Sequence, residues 1–135
     1  MILPGVTRDS VLTIAREHIS GARTIKGLPP SNKLIVNERQ ITMQEVKNAA
    51  ISGRLVELFG TGTFCFLLSH GSRAHTGGAG TAAIISPVEK IGYLGEDVLI
   101  PTGEDGMGPL SRVILDEIVG RQRGDIPSEW SVEVP

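Results

Sequence analysis

The chain has 135 residues, with 13 basic and 15 acidic side chains, a formal net charge of −2 and a pI of about 5.9. This balance lacks the basic surplus expected of a protein that binds nucleic acid or an anionic membrane. The single cysteine, Cys65, excludes an internal disulfide framework and a cysteine-rich zinc site. No apolar run reaches the roughly 20 residues of a membrane span. We therefore expect a globular chain with an aliphatic core, because aromatic residues make up only 4%.

The sequence predicts three helices. The first covers Val6 to about Ile19, with Thr7 as a candidate N-cap, since apolar residues recur at helical spacing. The second opens with the capping box of Thr42 and Glu45 and closes near Ser52-Gly53. The third runs from about Gly108 to Arg123, with Gly124 as its C-cap and Arg121 and Arg123 suited to the dipole of its last turn.

Short apolar segments predict the strands. They cover residues 34–36, 55–59 and 82–85, and a hairpin joins residues 90–93 to 98–100 around a turn at 94–97. Since helices and strands alternate along the chain, the fold class is α+β, that is, mixed α/β.

The segment between Phe59 and Ala82 is unusual. A glycine-rich stretch at residues 60–63 is followed by an apolar burst at 64–68, and the small-residue pattern returns at 78–81. This pattern is compatible with an internal duplication of a glycine-rich loop or with an insertion of about 18 residues into one loop.

Two places are suited to holding an anion. Pro4-Gly5 leads into the first helix, where the amides of Val6 and Thr7 have no partner within the helix. The loop of residues 78–82 is rich in glycine, and Thr81 offers a hydroxyl beside its amide. Either place would be only a capped helix or a turn if no ligand binds. The spacing of Cys65, His70 and His75 is unlike that of metal ligands, so no metal site is predicted, and no catalytic base is evident.

Several of these segments, in order, resemble branched-chain amino-acid aminotransferases. The resemblance begins with ILPGVTRDS at residues 2–10 and ERQITM at 38–43. It continues through GAGTAA at 78–83, SPV at 86–88, IGY at 91–93, IPTG at 100–103, GPL at 108–110 and SEW at 128–130. It covers nearly the whole chain except residues near 60–78. The chain as a whole, 1–135, is then expected to be the C-terminal half of the large domain of a fold type IV enzyme.

The resemblance implies a cofactor and a reaction. The family uses pyridoxal 5′-phosphate to move an amino group between leucine, isoleucine or valine and 2-oxoglutarate. The amides of Val6 and Thr7 would hold the cofactor phosphate, the hydroxyl and amide of Thr81 would complete the phosphate site, and the amides of Thr81 and Ala82 would bind the substrate α-carboxylate. Intact relatives are homodimers, and the family is cytoplasmic or mitochondrial. No nucleic-acid or membrane partner is expected, and the pathway is open, with a secondary-metabolite pathway as compatible as amino-acid biosynthesis.

Two departures from the family matter. The Schiff-base lysine of the family lies upstream of the motif at residues 2–10, and no lysine of this sequence matches it, so we expect no transaminase activity from the 135-residue chain alone. Residues 61–78 interrupt the cofactor loop, either as a retained intron of eighteen codons or as a true loop insertion. A redox pair of cysteines found in some relatives is replaced by Ala83 and Ser86.

Three functional interpretations follow. The first is a branched-chain aminotransferase, of which this chain is a part. The second is another enzyme of the same fold, such as a D-amino-acid aminotransferase or an aminodeoxychorismate lyase, which the segments at 38–43 and 128–130 disfavour. The third is a catalytically inactive remnant that binds at most a phosphate or a partner chain.

Overall fold

The computed structural model describes residues 5–61, 84–132 and 134–135. Within these ranges the chain forms an α+β arrangement of three helices and four short strands, which agrees with the predicted fold class. In chain order the elements are α1 (Val6–Ser20), α2 (Met43–Ile51), β1 (Phe59–Thr61), β2 (Ile85–Pro87), β3 (Lys90–Tyr93), β4 (Glu96–Leu99) and α3 (Pro109–Arg123).

Local signals place α2 and α3 where the sequence predicts them. The hydroxyl of Thr42 accepts the amide of Glu45 at 3.2 Å, and the Glu45 carboxylate accepts the amide of Thr42 at 2.9 Å, which completes the predicted capping box. Gly108 is the N-cap of α3, and Gly124 ends this helix in the left-handed conformation at φ 82°. Hydrogen bonds between near neighbours in the sequence therefore fix both helices.

The start of α1 differs from the prediction. The N-cap is Gly5, which is extended at φ −79° and ψ 146°, and no side chain caps the helix. The prediction of Thr7 as the N-cap is wrong, because Val6 and Thr7 already lie inside the helix. Apart from this, the predicted range is close to that of α1.

The predicted strands shift or disappear. Residues 34–36 form no strand, and Ile35 is 79% exposed. The strand predicted at 55–59 begins only at Phe59, because the amide of Leu55 instead donates to the carbonyl of Ala49 at the end of α2. The strand predicted at 82–85 is found at Ile85–Pro87, with residues 82 and 83 outside the described ranges.

Two antiparallel pairs make up the sheet structure of the described residues. Strand β1 pairs with β2, and Gly60 lies opposite Ser86. The predicted hairpin is confirmed as β3 paired with β4, but its turn is shorter than the predicted range 94–97. Leu94 and Gly95 both have positive φ, at 51° and 77°, as in the tight turns that suit the twist of a hairpin.

The buried apolar side chains form two clusters. In the first, α3 packs against α1 and β2, and the buried residues are Ile14, Ile25, Ile85, Ile114 and Ile118. In the second, α2 packs against β4, and the buried residues are Val46, Val98 and Ile100. No helix in the described ranges combines the length and the apolar character needed to cross a membrane.

Candidate functional site

The candidate site is the N-terminus of α1. The amide of Asp9 donates to the carbonyl of Gly5 at 3.1 Å, so the helical hydrogen bonds begin there. The preceding amides of Val6 and Thr7 have no acceptor within the helix, because no earlier turn exists. Among the described residues no side chain caps them, and a Cβ added at Gly5 would meet no atom of another described segment within 4 Å. These amides, with the positive end of the helix dipole, can therefore receive an anion.

The other two helices supply an acceptor for their own N-terminal amides. At α2 the acceptor is the hydroxyl of Thr42. At α3 it is the carboxylate of Glu57, whose Oε1 accepts the amides of Leu110 at 2.8 Å and Ser111 at 3.1 Å. Of the three described helices, α1 is thus the one whose first-turn backbone amides are not bound by a described side chain and are available to an external acceptor.

An ion-pair cluster connects α1 to the segment that precedes α2. Glu38 accepts hydrogen bonds from Arg16 at 2.6 Å and from Arg8 at 2.7 Å. These bonds, with that of Arg16 the stronger, hold the pKa of Glu38 below its ordinary value of 4.5. Since Arg8 lies in the first turn of α1, this cluster connects the start of that helix to the segment at residues 38–43.

The structure describes only part of the predicted site. Val6 and Thr7 lie side by side in the first turn of α1. Thr81 and Ala82 lie outside the described ranges, as do Cys65, His70 and His75. In the ranges that are described, no group of three or more His, Cys, Asp or Glu side chains is arranged to hold a metal ion.

Sequence reasoning missed a buried ion network on α3. Arg121 is 1% exposed, and its guanidinium binds the carboxylates of Glu17 at 2.6 Å and Glu117 at 2.8 Å. Burial lowers the pKa of Arg121, but the hydrogen bonds to Glu17 and Glu117 outweigh it and the pKa is raised. The ring of Trp130 covers the guanidinium at 4.8 Å. The one signal in the sequence was the spacing of Glu117 and Arg121 by one helical turn, which does not indicate burial.

Curated relatives match nearly the whole chain. It is 36% identical over 134 residues to the branched-chain-amino-acid aminotransferase of Dictyostelium discoideum, a match that covers 98% of this chain and 27% of that protein. It is 38% identical over 134 residues to the mitochondrial enzyme of that name from Schizosaccharomyces pombe, covering 98% of this chain and 25% of that protein. With the cytosolic one from Saccharomyces cerevisiae it shares 36% identity over 133 residues, which is 96% of this chain and 28% of that protein.

The chain is a homologue of one part of the branched-chain-amino-acid aminotransferases. This confirms the resemblance predicted from the motifs. The chain spans about a quarter of the length of the curated relatives that it matches, and a C-terminal portion fits this coverage. No protein-family model matches it. The α+β arrangement of the described residues is consistent with a partial aminotransferase domain.

Proposed function

We propose that this chain is the phosphate-binding part of a branched-chain aminotransferase that uses pyridoxal 5′-phosphate. The observation that carries the proposal is the uncapped first turn of α1, where the amides of Val6 and Thr7 are available to an anion. The names of the relatives supply the reaction class.

The residues at α1 fit the phosphate of this cofactor. Backbone amides at a helix N-terminus neutralise an anion without a buried side-chain charge, and Gly5 has no side chain to obstruct the approach. When bound, pyridoxal phosphate acts as the electron sink at the α-carbon of the substrate. The described residues of this chain would bind and orient the phosphate. By resemblance, we propose that Thr81 completes the phosphate site and that the amides of Thr81 and Ala82 bind the substrate α-carboxylate.

The reaction of the whole protein is then the transfer of an amino group between leucine, isoleucine or valine and 2-oxoglutarate. We propose a homodimer in the cytosol or the mitochondrion, because relatives are named for both compartments. Since the 135-residue chain spans only about a quarter of its relatives, we propose that it does not turn over leucine by itself.

Binding of pyridoxal phosphate to the full 135-residue chain tests the site. Val6→Pro removes one amide donor, and proline suits the first position of a helix, where the extended Gly5 also tolerates a following proline. Because a hydrogen bond to a charged group contributes about 1.5–3 kcal/mol, we expect affinity to fall at least tenfold. Val6→Ala is the matched control, since it removes the exposed side chain and keeps the amide, and its affinity should equal that of the wild type.

Equilibrium dialysis of pyridoxal phosphate and of pyridoxal, which lacks the phosphate, measures this directly. The proposal requires pyridoxal phosphate to bind more tightly than pyridoxal and Val6→Pro to reduce this difference at least tenfold. Equal binding of the two compounds, or a Val6→Pro variant that binds like Val6→Ala, contradicts it. Turnover of leucine with 2-oxoglutarate by the pure chain would refute the separate proposal that the chain alone is inactive.

We also propose that residues 61–78 are an insertion in the cofactor loop. Antiparallel neighbours such as β1 and β2 are usually joined by a short connection. If residues 61–78 are removed, only residues 79–84 separate Gly60 of β1 from Ile85 of β2 in the sequence, which is a much shorter connection. Sequencing of the mature transcript tests whether these eighteen codons are removed as an intron. A message that retains them favours a true loop insertion.

A further inference from the structure

A buried histidine of α1 is hydrogen-bonded to the loop that follows this helix. His18 is 5% exposed, and both of its ring nitrogens bind the backbone of residues 21–33, here called the α1 loop. Nδ1 accepts the amide of Ile25 at 3.0 Å, and Nε2 lies 2.8 Å from the carbonyl oxygen of Pro29. Since a backbone amide only donates and a carbonyl only accepts, these two bonds require a neutral ring with its proton on Nε2.

The α1 loop covers the first apolar cluster. Ile25 is 6% exposed within that cluster, and Leu28 packs against it. Gly27 has φ +100° and lies so close to α3 that a Cβ there would come within 2.7 Å of Cγ2 of Val113. The loop therefore packs against the first apolar cluster and against Val113 of α3, and His18 makes two hydrogen bonds to its backbone.

No described charged side chain faces the ring of His18 within ion-pair or hydrogen-bond distance. Twelve charged side chains lie on α1, the α1 loop and α3: Arg8, Asp9, Arg16 and Glu17 on α1, Arg23, Lys26 and Lys33 in the α1 loop, and Arg112, Asp116, Glu117, Arg121 and Arg123 on α3. Four of these bind one another, since Arg121 pairs with both carboxylates and Arg23 pairs with Glu117 at 3.6 Å. A positive charge on the ring would consequently find no described carboxylate as a partner.

We propose that His18 is an acid-sensitive contact. When its ring takes up a second proton, its hydrogen bonding to the α1 loop is disrupted and the loop is released. A proton on Nδ1 removes the acceptor for the amide of Ile25. The N–H of Nδ1 and the N–H of Ile25 then point at each other, and their partial positive charges repel. It also places a charge in a buried position, which is costly without a partner. Protonation of the ring in acid therefore opens the loop and exposes Ile25 and Leu28 while α1 and α3 remain folded.

Hydrogen–deuterium exchange of the full 135-residue chain at pH 7.5 and 5.5, corrected for intrinsic exchange rates, tests this proposal. Loss of the bond to Ile25 should lower protection of the α1 loop about tenfold at pH 5.5. Protection of α3 should stay unchanged. In His18→Gln, which keeps a donor and an acceptor but does not titrate, protection of the loop should not depend on pH over this range.

Three results would overturn the proposal. The first is equal protection of the wild-type loop at both pH values, and the second is the same pH dependence of loop protection in His18→Gln. The third is a loss of protection in α3 at pH 5.5 that parallels the loss in the loop. If α3 is unprotected in His18→Gln at pH 7.5, the variant is not folded, and a pH titration of the wild type followed by the ¹⁵N signals of the His18 ring is used instead. The amide signal of Ile25 must then shift at the pH at which Nδ1 of His18 is protonated. If the amide signal of Ile25 and the Nδ1 signal of His18 change with different pH midpoints, the proposal is overturned as well.

Discussion

The carboxylate of Glu57 lies against the N-terminus of α3, where its Oε1 accepts the backbone amide of Leu110 at 2.8 Å. Its other oxygen accepts the hydroxyl of Ser111 at 2.8 Å. The protein thus places its own anion at α3, two residues before β1 begins, and this contact fixes the segment that leads into the β1–β2 pair. At the N-terminus of α1 no described side chain takes this place, so its amides are available to an external anion.

Replacing Glu57 with Gln keeps the shape of the side chain but removes its charge from the helix N-terminus. We expect the free energy of unfolding to fall by about 1 kcal/mol, because a partly buried carboxylate interacts favourably with the helix dipole. Urea denaturation followed by circular dichroism measures the change. Glu104→Gln is the control, since Glu104 is exposed, and a loss equal to that of Glu57→Gln would contradict this role for Glu57.

Gly108→Ala should be destabilising for a related reason. A Cβ at position 108 would overlap Oε2 of Glu57 and come within 2.8 Å of the Cβ of Glu57. We expect a loss of about 2 kcal/mol, since overpacking at a close contact forces neighbours to move. In a Glu57→Ala background the same substitution should cost less, because the overlap with the carboxylate is gone and only the contact with the Cβ at position 57 remains. A double-mutant cycle measures this coupling, and additive losses would show that Glu57 is not the obstacle.

Arg121→Leu removes the cation from the buried network, which leaves Glu17 without its partner and Glu117 with only the longer ion pair to Arg23 at 3.6 Å. We expect a loss of about 3 kcal/mol, in the range found when one member of a buried ion pair is removed. Arg123→Leu, in the same last turn of α3 but exposed, should change stability by less than about 0.5 kcal/mol. Thermal unfolding of both variants by circular dichroism is the measurement, and equal losses would contradict the prediction.

The ion pairs of Glu38 should contribute to stability in a pH-dependent way. Because the pKa of Glu38 is held below its ordinary 4.5, the folded state binds fewer protons here than the unfolded state. The stabilisation is thus present above pH 4.5 and is lost as the pH falls through the lowered pKa. We expect Glu38→Gln to flatten the decrease of Tm between pH 6 and 3. High salt should shrink the difference from the wild type, because Glu38 is exposed enough to be screened.

Glu104→Gln is also the control for that experiment. It removes an exposed carboxylate that forms no ion pair within the described residues, so its Tm should follow the wild-type pH dependence. If the two variants flatten the curve equally, the effect belongs to net charge and the ion pairs of Glu38 contribute nothing specific.

The sequence by itself determined the features that depend on residues close together in the chain. The capping box of Thr42 and Glu45, the end of α3 at Gly124 and the β3–β4 hairpin each rest on bonds that span a few residues. The resemblance to branched-chain-amino-acid aminotransferases was likewise readable from the sequence, and the relatives confirm it.

Only the tertiary structure decided which side chains from distant segments meet. Glu57 and Leu110 are 53 residues apart, and Glu17 and Arg121 are 104 apart, so neither spacing carries a local signal. The predicted strand at 34–36 failed for the same reason, because a strand requires a partner and the described fold supplies none there. Tertiary packing buries Arg121 on α3 and His18 on α1, and each of these helical residues thereby becomes the centre of a buried polar network.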